Sequence, residues 1–180
     1  MRVDWSRLCN FCTWRITFIW FCQSVDMWLL LLVAFSVGGL VASLLVVYLF
    51  YVLSTVPPGC YADLEVLPGV TMDCVRVLAS EYAYVPVPVL GRVPLDVAAA
   101  VWFVVNIGAA LWLYKTLTRR AARFVFWWRL LGLAILPYLL YLEFAVLKAV
   151  CIYCTIMHAF ILADFVVISI FLRKMAPLIR

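Results

Sequence analysis

Seven cysteines are the residues of this sequence best suited to chemistry, and their spacing divides them into groups. Cys151 and Cys154 form a Cys-x-x-Cys, whereas Cys60 and Cys74 lie in a more polar segment earlier in the chain. Thiolate is the attacking form in disulfide exchange, so two such pairs lying close together form a relay that passes electrons as mixed disulfides. The start of a helix suits a Cys-x-x-Cys, because unpaired amides and the positive end of the helix dipole stabilise a thiolate there.

A stripe of three residues continues from this motif into the last apolar segment. Positions three and four apart share a helix face, so Cys151, Cys154 and His158 line up, with His158 about 6 Å beyond Cys154. Lys148, three residues before Cys151, adds positive charge beside the first sulfur. Such a relay needs a final acceptor, and the sequence resembles neither a flavin site nor a haem site. Because the inner end of the pair faces a hydrophobic bundle, a lipid-soluble quinone is the expected oxidant.

Other interpretations of the cysteines remain open at this point. Cys60 and Cys74 taken alone are equally consistent with a disulfide that only stabilises a short loop. Zinc sites usually combine two tight pairs, and a gap of thirteen residues between Cys60 and Cys74 is unlike them, so no metal is predicted. Cys9, Cys12 and Cys22 precede the first apolar segment, and we interpret them as incidental thiols on the reducing side of the membrane.

The elements that must position these residues are membrane helices. Of the 180 residues, 69% are hydrophobic and only 13% are charged, which excludes a large water-soluble domain. Spans of about 20 apolar residues cross a bilayer as helices, and none of them alternates as barrel strands do. We predict an all-α integral membrane protein, a single four-transmembrane-helix bundle over residues 1–180. The predicted spans are 27–53, 93–114, 127–147 and 151–172.

The distribution of positive charge predicts the orientation of the bundle. Eleven of the 14 Lys and Arg residues lie before span one, between spans two and three, or after span four, and Arg129 is counted among them. Cations mark the cytoplasmic side, so both termini are predicted in the cytoplasm of a plasma-membrane protein, with residues 54–92 outside. An aromatic run over 11–23 is predicted to lie in the interface, within an N-terminal segment of residues 1–26. The net charge of +5 is then a topology signal, and no nucleic-acid partner is expected.

The outer loop and the small residues of the first two spans also carry predictions. Prolines and glycines exclude a long helix in the loop, but Thr71 or Asp73 can cap a short helix that ends at Ser80 and acts as a lid. The side chains expected to face the bundle are Val75, Leu78 and Ala79. Small residues allow close helix packing. They are Gly38, Gly39, Ala42 and Ser43 in span one, and Ala98, Ala99, Ala100, Gly108 and Ala109 in span two.

Glu143 and Asp164 fall inside predicted spans, and a charged side chain costs about 3 kcal/mol at the bilayer centre. Glu143 lies at a depth similar to Cys154 and should face inward. It either hydrogen-bonds within a quinone pocket, relaying protons, or pairs with Lys148 or the loop. Asp164 lies deep toward the cytoplasm, where Arg129 is its expected structural partner.

Three segments resemble the vitamin K epoxide reductase family, in particular its prokaryotic members. They are DCVRVLAS at 73–80, Gly91 with Pro94 and Leu95, and KAVCIYCTIMH at 148–158. The last is the most specific, because it combines a Cys-x-x-Cys at the outer end of a fourth helix with a cysteine in the preceding loop. The resemblance implies a four-helix bundle that encloses a quinone of the ubiquinone or menaquinone type. It also implies loop cysteines that receive electrons from a separate thioredoxin-like protein.

Carried over by position, the resemblance assigns a role to each cysteine of the relay. Cys60 resembles the partner-facing cysteine, Cys74 the one that exchanges with Cys151, and Cys154 the one beside the quinone. Ser80 and His158 match positions near the quinone. The predicted function is therefore re-oxidation of a thioredoxin-like partner to drive protein disulfide formation, with epoxide reduction not predicted. The alternative is a non-catalytic membrane scaffold or carrier whose loop disulfide is structural.

Overall fold

The computed structural model describes residues 15–60, 64–89 and 91–175, with side chains described from residue 27 to residue 174 within those ranges. The described part of the chain is mostly helical, with four helices long and apolar enough to cross a membrane, which confirms the predicted fold class. These helices are Met27–Val52, Leu95–Thr116, Arg119–Leu147 and Ile152–Lys174. We call the end of the bundle that carries Val52, Leu95, Leu147 and Ile152 the loop end.

The first helix, α1, runs without interruption over Arg15–Val46, because no glycine or proline breaks its first half. The structure therefore has no break between the aromatic run and the first span, and the interfacial position of that run stays a prediction. A π-helical turn, Val47–Val52, widens the helix at the loop end. Cys9 and Cys12 lie outside the described residues, as does the side chain of Cys22.

Helices α3, Leu95–Thr116, and α4, Arg119–Tyr141, form a hairpin with a very short connection. The Thr118 hydroxyl caps α4 by accepting a hydrogen bond from the Ala121 amide at 3.3 Å, so α4 begins earlier than the predicted span at 127. Arg129, which the charge count placed with the cytoplasmic cations, lies inside this helix and its side chain is fully buried. Helix α4 continues into a second π-helical turn, Leu142–Leu147.

Arg129 is paired across the bundle, as the sequence predicted. Its Nε lies 3.8 Å from Asp164 Oδ2 on helix α5, Ile152–Met175, and neither side chain is exposed. The Ser36 hydroxyl of α1 donates to the same carboxylate at 2.7 Å. A polar contact therefore joins three of the four spans inside the half of the bundle away from the loop end.

Small residues bring the helices together, although not all of the predicted ones do so. A Cβ at Gly39 would meet the ring of Phe103 on α3, and a Cβ at Gly38 would meet the ring of Phe160 on α5. Ala42 is buried in a cluster with Phe103. Gly108 has no neighbour within 4 Å of an added Cβ, so its predicted packing contact is wrong.

The connection between α1 and α3 contains short strands that the sequence analysis did not predict. Strands β1, Glu65–Leu67, and β2, Val70–Met72, form an antiparallel hairpin around Gly69. β2 also pairs in parallel with β5, Ala149–Val150, the two residues before Cys151. The second hairpin pairs β3, Tyr84–Val87, with β4, Gly91–Pro94.

A five-residue helix, α2, covers Cys74–Leu78 and begins where one of the two predicted caps stands. The Asp73 carboxylate accepts a hydrogen bond from the Arg76 amide at 2.9 Å. The buried side chains are those of Cys74, Val77 and Leu78. The expected orientation is wrong for Ala79 and for Val75, which is 40% exposed, because the buried Cys74 fixes which face of this short helix packs on the bundle.

Candidate active site

The two loop cysteines form one half of the site. Cys60 and Cys74 are joined by a disulfide, with their Cα atoms 5.4 Å apart. A tight turn presents Cys60, since its amide donates to the Pro57 carbonyl at 3.2 Å and Gly59 adopts a positive φ of 86°. The Tyr153 hydroxyl donates to the Pro58 carbonyl at 3.0 Å, which ties this turn to the start of α5.

The Cys-x-x-Cys forms the other half, with both sulfurs as free thiols. Cys151 precedes the first helical residue of α5, and its carbonyl accepts from the Thr155 amide at 2.9 Å. Cys151 is therefore the N-cap residue, and Cys154 lies in the first turn of the helix. The motif therefore stands at the start of a helix, as predicted, whereas stabilisation of a thiolate there by the unpaired amides stays a prediction.

Backbone pairing brings the two halves together. Strands β2 and β5 pair Met72 with Val150, and the Asp73 amide then donates to the Val150 carbonyl at 3.2 Å. Cys151 follows β5 directly, and Cys74 follows β2 after one residue, Asp73. Both are fully buried in one hydrophobic cluster, which also contains Cys60, and Cys154 packs against that cluster. All four cysteines of the predicted relay thus lie at one place on the loop end of the bundle.

A partly open cavity adjoins the inner sulfur, and it encloses about 440 Å³ of empty space when the open solvent at its mouth is included. Loop residues cover one part of it and the helices α3, α4 and α5 supply the rest. The lining residues are Val77, Leu78, Ser80, Tyr82, Ala83, Leu95, Asp96, Leu139, Leu142, Glu143, Leu147, Cys154 and His158. The three residues proposed for quinone binding, Ser80, Glu143 and His158, therefore share this cavity with Cys154.

Two polar atoms on the cavity wall are buried without a hydrogen-bond partner among the described residues, Glu143 Oε2 and His158 Nδ1. Within the same residues, Glu143 makes no ion pair with Lys148, one of its two expected partners. The Ser80 hydroxyl is occupied, because it donates to the Val77 carbonyl at 2.7 Å. A mostly apolar cavity with buried, unpartnered polar groups fits a ring compound that carries carbonyl or hydroxyl oxygens.

Sequence analysis missed two polar residues of this region. Asp96 lies in the first turn of α3, is buried, and lines the cavity. The Tyr51 hydroxyl, from the π-helical turn of α1, donates to Asp96 Oδ2 at 3.3 Å. An acidic residue near the start of an apolar span was the available signal, because ionisable residues within membrane spans face the interior and mark functional sites.

The site contains no arrangement of ligands for a metal within the described residues. No group of three or more His, Cys, Asp or Glu side chains is close enough to hold an ion there. The disulfide occupies Cys60 and Cys74, so these sulfurs are unavailable as ligands in this state.

Four apolar helices and two adjacent cysteine pairs define a multi-pass membrane protein built for thiol chemistry. The model of the vitamin K epoxide reductase family matches residues 30–169, which is more than half of the chain. The protein belongs to this family, as its three diagnostic segments predicted, and family members are oxidoreductases that generally use quinones. No curated protein matches the chain.

Proposed function

We propose that this protein re-oxidises a separate thioredoxin-like protein and passes the electrons to a membrane quinone of the ubiquinone or menaquinone type. The result is net formation of disulfides in the proteins that the partner oxidises. The observation that carries the proposal is the β2–β5 pairing, which supports direct exchange between Cys74 and Cys151 because each lies within two residues of the paired Met72 and Val150. Cys154 then has the cavity beside it.

In the proposed relay, the partner's two thiols reduce the Cys60–Cys74 disulfide and the partner leaves as a disulfide. Cys74 next attacks Cys151 of an oxidised Cys151–Cys154 pair, and Cys154 departs as a thiolate. Cys60 then attacks Cys74, which restores the loop disulfide and leaves Cys151 reduced. Each exchange breaks one S–S bond and forms another, so electrons and protons stay balanced. The bonded Cys60–Cys74 and the free Cys151 and Cys154 match the state that follows these exchanges.

A bound quinone accepts two electrons and two protons, which equal those lost when two thiols become a disulfide. Glu143 and His158 support its binding, because each has a buried polar atom on the cavity wall that a ring oxygen or hydroxyl can satisfy. The apolar walls exclude water from the reacting sulfur. Ser80 helps to close the cavity, through its bond to the loop carbonyl of Val77.

The exchange step is tested by Cys154→Ser in the full-length protein. This variant cannot re-form the inner disulfide, so Cys151 attack on the loop disulfide at Cys74 should give a Cys74–Cys151 bond and a free Cys60 thiol. Alkylation of that thiol prevents reversal, and mass spectrometry of peptides identifies the bond. Cys151→Ser is the matched control and should keep the Cys60–Cys74 bond. Finding only Cys60–Cys74 in Cys154→Ser would contradict the relay.

Turnover separates the proposal from the non-catalytic scaffold or carrier. Purified protein should reduce a short-chain quinone with dithiothreitol as the electron donor, and Cys154→Ala should abolish this activity. Cys60→Ser should block only transfer from the protein partner. Dithiol-dependent reduction that continues unchanged in Cys154→Ala would favour the scaffold, with a loop disulfide that is only structural. Labelling of the reduced Cys60 thiol in intact cells tests the predicted extracytoplasmic position of the loop.

A further inference from the structure

The wall of the cavity contains a second acidic residue whose presence the disulfide relay does not explain. Asp96 is 5% exposed and comes from α3, whereas Glu143 and His158 come from α4 and α5. A carboxyl group within a membrane span is costly and usually has a function. The N-cap residue of α3, Pro94, makes no side-chain cap, and Asp96 is the acidic residue of the first turn.

The surroundings of Asp96 hold its carboxyl group in a fixed orientation. The Tyr51 hydroxyl donates to Oδ2 at 3.3 Å and also lies 3.4 Å from the Leu78 carbonyl of the loop helix. The Ser43 hydroxyl donates to the Asp96 backbone carbonyl at 2.5 Å, which fixes the first turn of α3 against α1. The carboxyl group is thereby held at the cavity wall, beside the loop that covers the cavity.

We propose that Asp96 is a proton donor to an oxygen of the quinone during reduction by Cys154, with Tyr51 as the residue that positions its carboxyl group. This inference rests on the proposed function. It adds a residue of α3 to the site, in addition to the stripe of Cys151, Cys154 and His158. Two protons must reach the quinone, and a cavity with acidic residues on two different helices can supply one to each oxygen.

The proton balance of the step is complete. Formation of the Cys151–Cys154 disulfide releases two electrons and two thiol protons, and the quinone takes up two of each. Asp96 gives its proton to a quinone oxygen and regains one from the thiol of Cys154, so it is unchanged after each turnover. Neither an additional oxidant nor an additional reductant is required.

The pH dependence of the step involves every titratable group at the cavity. Tyr51 faces Asp96 from α1, Tyr82 lies on the covering loop, and Tyr84 lies beside Tyr51, with ring centroids 6.3 Å apart. The remaining titratable groups on the cavity wall are Glu143, Cys154 and His158. None of the described lysines or arginines lines the cavity, so no permanently charged cation stands beside Asp96 on the cavity wall.

The first test compares Asp96→Asn with wild type in single-turnover reduction of a short-chain ubiquinone by the dithiol-reduced protein across a range of pH. Asparagine keeps an acceptor for Tyr51 but carries no transferable proton. We expect a rate about 100-fold lower at neutral pH, which rises as the pH falls because solvent must supply the proton. Added formate should restore part of the rate. Glu65→Gln, at an exposed carboxylate of the β1–β2 hairpin, is the control and should match wild type.

The second test needs no quinone. Infrared difference spectra between the dithiol-reduced and oxidised protein should contain a carboxyl C=O band, because Cys154 loses its S–H group on the cavity wall that it shares with Asp96. The band should be absent in Asp96→Asn and shifted in Tyr51→Phe, which removes one hydrogen bond to the carboxyl group. Tyr51→Phe should also change the pH profile of quinone reduction while exchange between the cysteine pairs stays normal. This variant decides the question if Asp96→Asn does not fold.

Two results would overturn the assignment. If Asp96→Asn keeps the rates, the pH profile and the infrared spectrum of the wild type, then Asp96 serves only as a hydrogen-bond acceptor for Tyr51. An equal slowing of quinone reduction and of Cys74–Cys151 exchange in that variant would indicate a structural defect instead. Failure of the wild-type protein to reduce quinone at all would refute the proposed function itself, which is a separate outcome.

Discussion

Neutralising Asp164 by substitution with asparagine should destabilise the bundle by about 3 kcal/mol. The structure sets this value, because Arg129 and Asp164 are fully buried and lie 3.8 Å apart. Among the described residues, the three guanidinium nitrogens of Arg129 have no hydrogen-bond partner, so asparagine would leave an uncompensated charge. The lower end of the range for broken buried pairs applies because the pair makes no direct hydrogen bond. Ser36→Ala, which removes only a hydroxyl donor, should cost about 0.6 kcal/mol.

The assay is reversible unfolding of the purified protein in mixed micelles, followed by tryptophan fluorescence. Replacing both Arg129 and Asp164 with leucine should recover most of the loss, because no buried charge then remains. With the single variants Arg129→Leu and Asp164→Leu, this double variant completes a cycle that isolates the interaction between the two residues. A loss in Asp164→Asn no larger than that in Ser36→Ala would refute the reasoning, since the charge of Arg129 would then be compensated elsewhere.

Two further perturbations test the packing and the loop. Gly39→Ala should lower stability by about 1–3 kcal/mol, because the added Cβ meets the buried Phe103 ring, whereas Gly108→Ala has open space and should be neutral or stabilising in the same unfolding assay. Asp73→Ala should cost about 1 kcal/mol locally and speed amide exchange over 74–78, whereas Asp73→Ser should retain the cap. Equal effects of the two glycine changes, or no difference between the two Asp73 variants, would contradict these assignments.

The features that follow from residue type and simple periodicity could be predicted from the sequence. The four spans follow from apolar length, and the alignment of Cys154 with His158 follows from helical spacing. The pairing of Arg129 with Asp164 was predictable because a buried charge in a membrane requires a partner. A side chain that needs an opposite charge when it is buried thus allows its partner to be predicted.

The features that depend on local backbone irregularity could not be predicted. Strand β5 has only two residues, too few for an alternating pattern, and it forms because β2 is adjacent. The π-helical turns that carry Tyr51 and Glu143 change the spacing of side chains, and neither turn has a composition that distinguishes it from an ordinary helix. Helix α2 is shorter than two turns, so its sequence has no clear apolar period. The buried Cys74 determines which face packs on the bundle, and the prediction that Val75 lies on that face is therefore wrong.

The pairing of β2 with β5 has a mechanical consequence for the proposed relay. Main-chain hydrogen bonds attach the segment before Cys74 to the segment before Cys151, so the backbone beside each of these two cysteines is held to the other. In the proposed relay, exchange between Cys74 and Cys151 would then need rotation of their side chains and no large movement of the backbone. The speed of a working cycle would accordingly depend on how often a partner arrives at one side and a quinone is exchanged at the other.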